Sequence, residues 1–153
     1  MYDVFVAPLR CPACDTVAAE AYSQTYLRAG SADGSALRVG VELDPFDLAT
    51  ESIADAGYAL VKSPDPDGPI FLLDIWICSQ CKTEQWAMVE ISDRKIRSIE
   101  AVKLDRATLE SANFISDLEA DLLAQSLLEQ PATGASSVEI LRQHLPLRPH
   151  NGR

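Results

Sequence analysis

Residues 70–77 are strongly apolar, and two further segments of strand composition, 83–92 and 96–104, follow them closely. Asp93-Arg94-Lys95 separates the last two segments and has the composition of a tight turn. Short apolar runs bounded by turn residues are typical of neighbouring antiparallel strands. The pattern therefore predicts a three-stranded meander, which is the clearest fold signal in the chain.

Upstream of the meander the pattern predicts further, less regular strands. Residues 3–9 and 23–28 have strand composition, and residues 37–43 alternate apolar with other side chains as a half-buried strand does. Residues 58–62 predict one more strand. The segment 63–69 is rich in proline and aspartate, so we expect a turn-rich connection into the meander.

Helices are predicted in two parts of the chain. Asp47 is expected to cap a short helix that runs to Ala56, with Gly57 at the following position, where a left-handed backbone is needed. Asp105 is expected to cap a second helix that begins at Arg106. One face of this helix carries apolar residues at 3.6-residue spacing, namely Ala107, Phe114, Ile115, Leu118 and Leu122.

The C-terminal helical segment is expected to be interrupted. Residues 116–119 match a capping box, so the helix should break near Asn113 and start again. Residues 136–139 match a second capping box, which would open a short helix ending at about Leu145. We expect residues 146–153 to form a flexible tail.

All four cysteines of the chain occur in two CxxC pairs, Cys11 with Cys14 and Cys78 with Cys81, separated by residues 15–77. Each pair can form a knuckle, a tight turn that directs two thiolates at one point. Two knuckles make a tetrahedral four-sulfur site, which suits zinc or a single iron. The long separation is tolerable because the cost of loop closure grows only logarithmically with length. Cys11, Cys14, Cys78 and Cys81 are therefore predicted to be metal ligands.

Two other uses of the cysteines stay open at this point. Disulfides require an oxidising compartment, and the N-terminal residues show no secretory signal, so we expect a cytoplasmic protein. A redox-active pair sits at the N-terminus of a helix. Cys81 is followed by a predicted strand, whereas residues 17–26 after Cys14 are also compatible with a helix.

Composition narrows the classes of function. The chain has 153 residues, 47% of them hydrophobic, and this length and composition indicate one globular domain. Its formal net charge is −10. No apolar run approaches the ~20 residues of a membrane span. Binding to nucleic acid requires lysine and arginine at the phosphates, so the acidic charge disfavours it. Arg94, Lys95 and Arg97 form the one local basic cluster, which we interpret as a solvated hairpin tip.

No catalytic set is visible in the sequence, and we do not expect an enzyme. A glycine-rich phosphate loop and an HExxH motif are both missing. His144 and His150 are not expected to be ligands, because four thiolates already complete a structural site and leave no position for water. Trp76 and Trp86 flank the second cysteine pair, and we expect both to pack beneath the site.

The knuckles Cys11-Pro12-Ala13-Cys14 and Cys78-Ser79-Gln80-Cys81 resemble those of zinc ribbons and of the wider rubredoxin-like group. The resemblance covers the knuckles and their adjoining strands, about 40 residues, and implies that the four cysteines ligate one metal ion. The rest of the chain looks like uncharacterised bacterial proteins with a split zinc ribbon. Glycine commonly follows the second cysteine of such a knuckle, because that residue often has a positive φ. This chain has Asp15 and Lys82 there.

These features together predict an α+β fold. It comprises an antiparallel zinc-ribbon-like β core with an α/β insert and C-terminal helices. Residues 1–104 would form the split β domain, including the insert 29–69. Residues 105–145 would form a helical arm, and residues 146–153 the tail.

The expected function is that of a small cytoplasmic zinc-binding protein acting as a protein-interaction or adaptor module. A protein partner, or a second copy, would bind through residues 105–145. Leu123, Leu127 and Leu128 lie beside or opposite the apolar face of this arm, so one sheet cannot cover them all. The alternatives are a rubredoxin-like iron protein that transfers electrons and a thiol-redox protein that uses Cys11 and Cys14.

Overall fold

The computed structural model describes residues 2–28, 34–128 and 132–146, which form a mixed α+β fold. Three strands make the smaller sheet, in the order β2-β1-β3. The central strand β1 pairs antiparallel with β2 and parallel with the two-residue β3. The bounds are β1 Asp3–Arg10, β2 Val17–Thr25 and β3 Ala36–Leu37.

Five strands make the larger sheet, in the order β4-β8-β5-β6-β7. The predicted meander is confirmed, since β5, β6 and β7 pair antiparallel in sequence order. The turn between β6 and β7 places Asp93 and Arg94 at φ values of 52° and 64°, the left-handed pair that tight hairpin turns require. The bounds are β4 Tyr58–Leu60, β5 Ile70–Ile77, β6 Glu84–Ser92, β7 Lys95–Val102 and β8 Phe114–Ser116.

Four α-helices complete the described part of the chain, with bounds α1 Thr50–Asp55, α2 Arg106–Ser111, α3 Asp117–Leu128 and α4 Ala135–His144. The predicted cap of α2 is confirmed, because the Asp105 carboxylate accepts the Thr108 N–H at 2.7 Å. Gly57 follows α1 with a φ of +99°, as expected. The prediction for Asp47 is wrong. Asp44 caps a 3₁₀ turn over Pro45–Leu48 instead, and α1 begins only after that turn.

The strand predicted over residues 37–43 is also wrong beyond Leu37. Gly40 has a φ of +96°, so the chain turns there instead of extending. The Gly40 N–H then donates to the carbonyl of Ile96, and the Ile96 N–H donates to the carbonyl of Val41. These residues therefore pack against the β6–β7 hairpin and do not lengthen β3.

The apolar helix face predicted from Ala107 to Leu122 is wrong. Phe114 and Ile115 lie in β8, which pairs antiparallel with β4 and parallel with β5. Asn113 holds the strand in place, since its side-chain oxygen accepts the Phe71 N–H at 2.8 Å. Leu118 and Leu122 are 62% and 54% exposed. The face of α3 that packs on α4 instead carries alanines, Ala120 and Ala124.

The helix predicted from the second capping box exists, but the box itself does not form. Gly134 precedes the first residue of α4, and the Ser136 hydroxyl donates to the Thr133 carbonyl at 2.8 Å. The predicted tail lies outside the described residues, apart from Pro146. None of the helices in the described ranges combines the length and the apolar character needed to cross a membrane.

Two hydrophobic cores lie on the two faces of the larger sheet. One core joins it to the smaller sheet and contains Phe5, Leu72 and Trp76. The other lies under the helices and contains Leu73, Ile115 and other residues from Leu109 to Leu145. Successive residues of β5 enter opposite cores, as the two-residue period of a strand requires. The first core also contains Cys11 and Cys78, so it positions both knuckles.

A buried carboxyl group lies in β5, where the two sheets meet. Tyr58 donates a hydrogen bond to the Asp74 carboxylate and accepts one from Thr25 at 2.7 Å. The Ile75 N–H donates to the other Asp74 oxygen at 3.0 Å. Burial outweighs these hydrogen bonds and raises the pKa of Asp74 to about 7.

Asp74 should make the protein less stable as the pH rises towards neutrality. In the unfolded chain the pKa of aspartate is about 3.9, so between that pH and about 7 the folded state binds more protons. The free energy of unfolding therefore falls across this window and levels off above it. Denaturation of the metal-loaded protein and of Asp74→Asn at several pH values checks this. We expect the variant to lack this part of the slope, and parallel pH profiles would contradict the assignment.

Candidate metal centre

The two cysteine pairs lie at the tips of two hairpins that share one layout. In the first, the eight residues of β1 lead directly into Cys11, and the nine residues of β2 begin after Thr16. In the second, the eight residues of β5 lead directly into Cys78, and the nine residues of β6 begin after Thr83. The strand β2 lies against β5, which brings the two tips together.

The backbone hydrogen bonds of the two knuckles are also equivalent. The N–H of the first cysteine donates to a threonine carbonyl, at 2.9 Å from Cys11 to Thr16 and at 3.0 Å from Cys78 to Thr83. The carbonyl of the first cysteine accepts the N–H of the residue after the second, at 2.8 Å in both knuckles. These bonds close each CxxC segment into a turn that presents both sulfurs on one side.

The residue after each second cysteine has the backbone conformation expected from the knuckle resemblance. Asp15 and Lys82 have φ values of 62° and 61°. Most residues are strained in this conformation. Glycine adopts it without strain, and aspartate and asparagine tolerate it better than other residues do. The knuckles therefore adopt the geometry that glycine favours without containing glycine.

Replacing Lys82 with glycine should stabilise the protein. The relief of left-handed strain exceeds the extra entropy that glycine loses on folding, so we expect a gain of about 0.5–1 kcal/mol. Denaturant titration of the metal-loaded protein measures it. The matched control is Lys95→Gly at the start of β7, a position without positive φ, where the same change should destabilise the protein. Destabilisation by Lys82→Gly would contradict this account.

The four sulfur atoms converge across the two knuckles. The Sγ atoms of Cys11 and Cys81 lie 3.7 Å apart, and those of Cys14 and Cys78 lie 3.6 Å apart. All four lie within 4.8 Å of one another. In a tetrahedral zinc site with Zn–S bonds of about 2.3 Å, the sulfurs are about 3.8 Å apart. The four cysteines can therefore hold one metal ion.

The cysteines are free thiols, so neither pair forms a disulfide. Cys11 and Cys78 are buried, Cys81 is half-buried and Cys14 is exposed. Trp76 belongs to the same core as the two buried cysteines, as expected, and its indole N–H donates to the carbonyl of Trp86 at 3.3 Å. The side chain of Trp86 packs against the other core, so only one tryptophan lies beneath the site.

Two threonines take part in the site, and the sequence reading missed them. The Thr83 hydroxyl lies 2.9 Å from the Cys81 sulfur, and hydrogen bonding by Thr83 lowers the pKa of Cys81. The equivalent Thr16 lowers the pKa of Cys14 to about 6. Burial instead raises the pKa of Cys11. Both motifs read CxxCxT, so this repeated threonine was the available signal.

The helix considered after Cys14 does not form, because residues 17–25 make up β2. A redox-active pair would lack the helix N-terminus that usually lowers its thiol pKa. Threonine hydroxyls take that role here. The lowered pKa values favour the thiolate forms, which are the forms that bind a metal.

The other residues singled out in the sequence lie elsewhere. His144 is exposed at the end of α4, and His150 is outside the described residues. Arg94 and Arg97 form exposed ion pairs with Glu42 and Asp93, as expected of a solvated hairpin tip. In the described ranges, the four cysteines are the only group of three or more histidine, cysteine or acidic side chains placed to hold a metal ion.

Comparison of the chain with known protein families, with curated proteins and with solved structures found no match. The convergence of the four thiols is by itself consistent with a zinc-ribbon-like knuckle. The protein therefore has a four-cysteine cluster that can hold a metal ion, in a mixed α+β fold with mainly antiparallel sheets.

Proposed function

We propose that the protein binds one zinc ion through Cys11, Cys14, Cys78 and Cys81, in a split zinc-ribbon-like core. The observation that carries the proposal is the convergence of four thiols from two hairpins within 4.8 Å. Each hairpin supplies two ligands, so the ion fastens the smaller sheet to the larger one. A site filled by four thiolates leaves no position for water, so its role is structural and not hydrolytic.

Zinc is preferred to iron because zinc is the usual ion of structural sites formed by four cysteines. The free thiols also fit a reducing compartment such as the cytoplasm. Elemental analysis of the full chain, purified without added metal, tests the assignment. We expect one zinc per chain and no colour. Stoichiometric iron would overturn the choice of zinc, and four titratable thiols without any metal would overturn the proposal.

The protein would act by binding a protein partner. The support for this is the exposed apolar surface of α3, where Leu118, Leu122 and Leu127 are all exposed. Leu123 packs against the core under the helices instead. The partner surface of the segment 105–145 therefore does not include Leu123, contrary to the prediction from the sequence. The net charge of −10 points to a basic partner and away from nucleic acid.

A further inference from the structure

A cleft of about 1030 Å³ opens beside the second knuckle. Its lining includes residues of β2, residues 74–77 of β5 and the first turn of α3. Ser79 of the second knuckle lines one part of the cleft. The buried pair of Tyr58 and Asp74 also lines it. The volume is at the upper limit of ligand pockets, which is about 1,000 Å³, and such pockets often contain a few converging polar groups.

The charge that lines the cleft is of one sign. Four carboxylates line it, from Glu20, Glu84, Asp117 and Glu119, beside the buried carboxyl group of Asp74, and its lining contains no lysine, arginine or histidine. Arg38 pairs with Glu20. In the described ranges the other three carboxylates have no ion pair. Burial and the neighbouring Glu84 carboxylate raise the pKa of Glu119, so the two acids repel each other. A positively charged ligand would remove this repulsion.

Aromatic side chains accompany the carboxylates. Tyr2, Tyr22 and Tyr26 line the cleft and are 39%, 57% and 50% exposed. The rings of Tyr2 and Tyr26 meet edge to face, with centroids 6.1 Å apart. Aromatic faces beside carboxylates attract ammonium and guanidinium groups through cation–π contacts. They add little to the binding of a hydrated metal ion. The lining therefore suits an organic cation.

The backbone of β2 indicates the form of that cation. β2 pairs only with β1 among the described strands. Residues from both of its faces line the cleft, Ala21 and Thr25 from the buried face and Tyr22 and Gln24 from the exposed face. The unpaired edge of β2 therefore runs along the cleft. Such an edge binds an extended peptide by adding a strand to the sheet, which a small amine cannot do.

We propose that this cleft binds an extended segment of the partner protein that carries lysine or arginine side chains. The segment pairs with the free edge of β2, and its cationic groups reach Glu84 and Glu119. Leu118 lines the cleft as well, so the exposed face of α3 continues the same surface. This inference rests on the proposed partner binding, but not on the identity of the metal.

Fluorescence anisotropy with the zinc-loaded full chain tests the inference. The probe is a labelled octapeptide of alternating lysine and threonine. We expect saturable binding that weakens as salt is raised, and roughly tenfold weaker binding after acetylation of the lysines. N-methylation of alternate peptide nitrogens keeps the charge but removes backbone donors, so it should also weaken binding. The absence of saturable binding overturns the proposal.

The variant Glu84→Gln with Glu119→Gln should weaken binding roughly tenfold. The matched control, Glu100→Gln with Glu110→Gln, changes the net charge equally at exposed residues outside the cleft. Equal effects of the two variants would overturn the location of the site. If spermidine competes as well as the peptide does and N-methylation has no effect, the ligand is a small amine and the proposal of an extended segment is wrong. Elemental analysis and cooperative melting of both variants separate loss of this site from failure of the zinc proposal.

Discussion

Cys78→Ser should release the metal and lower the free energy of unfolding by more than about 4 kcal/mol, the range that the loss of a metal site reaches. Cys78 is buried, and its sulfur lies 3.6 Å from that of Cys14 in the other hairpin. The four-thiol site does not exist in the unfolded chain, so the free energy of metal binding contributes to folding. Removing one ligand weakens the binding and leaves a buried polar group in its place.

Thermal melting combined with metal analysis measures this effect. The matched control is Gln80→Ala, an exposed residue of the same knuckle, which should keep one metal per chain and melt close to the unchanged protein. A chelator should lower the melting temperature of the control and have little effect on the Cys78→Ser protein. If the unchanged protein melts identically with and without its metal, the ion does not support the fold.

Phe114→Ala should lower the free energy of unfolding by about 3–5 kcal/mol, as expected when a buried aromatic side chain is removed. Phe114 is 0% exposed and lies in β8, opposite Leu60 of β4 and Leu72 of β5. The strand links the two parts of the larger sheet, so the cavity would lie where they join.

The control for Phe114→Ala is Leu118→Ala, because the helical pattern places both residues on one face. Leu118 is 62% exposed, and its truncation should change stability by less than about 0.5 kcal/mol. Urea titration of both variants compares them directly. Similar losses of stability would contradict the strand and support a helix that buries both residues on one face.

The meander and the knuckles were predictable from the sequence because local composition determines them. The apolar segment Ile70–Ile77 ends at a cysteine pair, and turn residues separate β6 from β7. The strand β8 was not predictable in this way. Its three residues continue the helical spacing of their neighbours, and only pairing with β4 and β5 makes them a strand.

The convergence of the thiols was predicted, but their differences were not. The CxxC spacing indicates four equivalent ligands, whereas the fold buries Cys11 and exposes Cys14. The threonine after each knuckle was visible as a repeat and was overlooked. The cleft could not be predicted, because it depends on how β2 lies against β5, and the sequence of neither strand encodes that placement.

The two hairpins with one layout also bear on the order of folding. Each hairpin joins neighbouring segments, so its closure costs little entropy and is fast. The cross-hairpin sulfur pairs, by contrast, join residues 64 and 70 positions apart. Each hairpin can therefore present two thiolates before the sheets meet, and a metal ion can bind one hairpin first. The slow, long-range step of folding would then be the binding of that ion by the two cysteines of the other hairpin, and its rate would depend on the metal concentration.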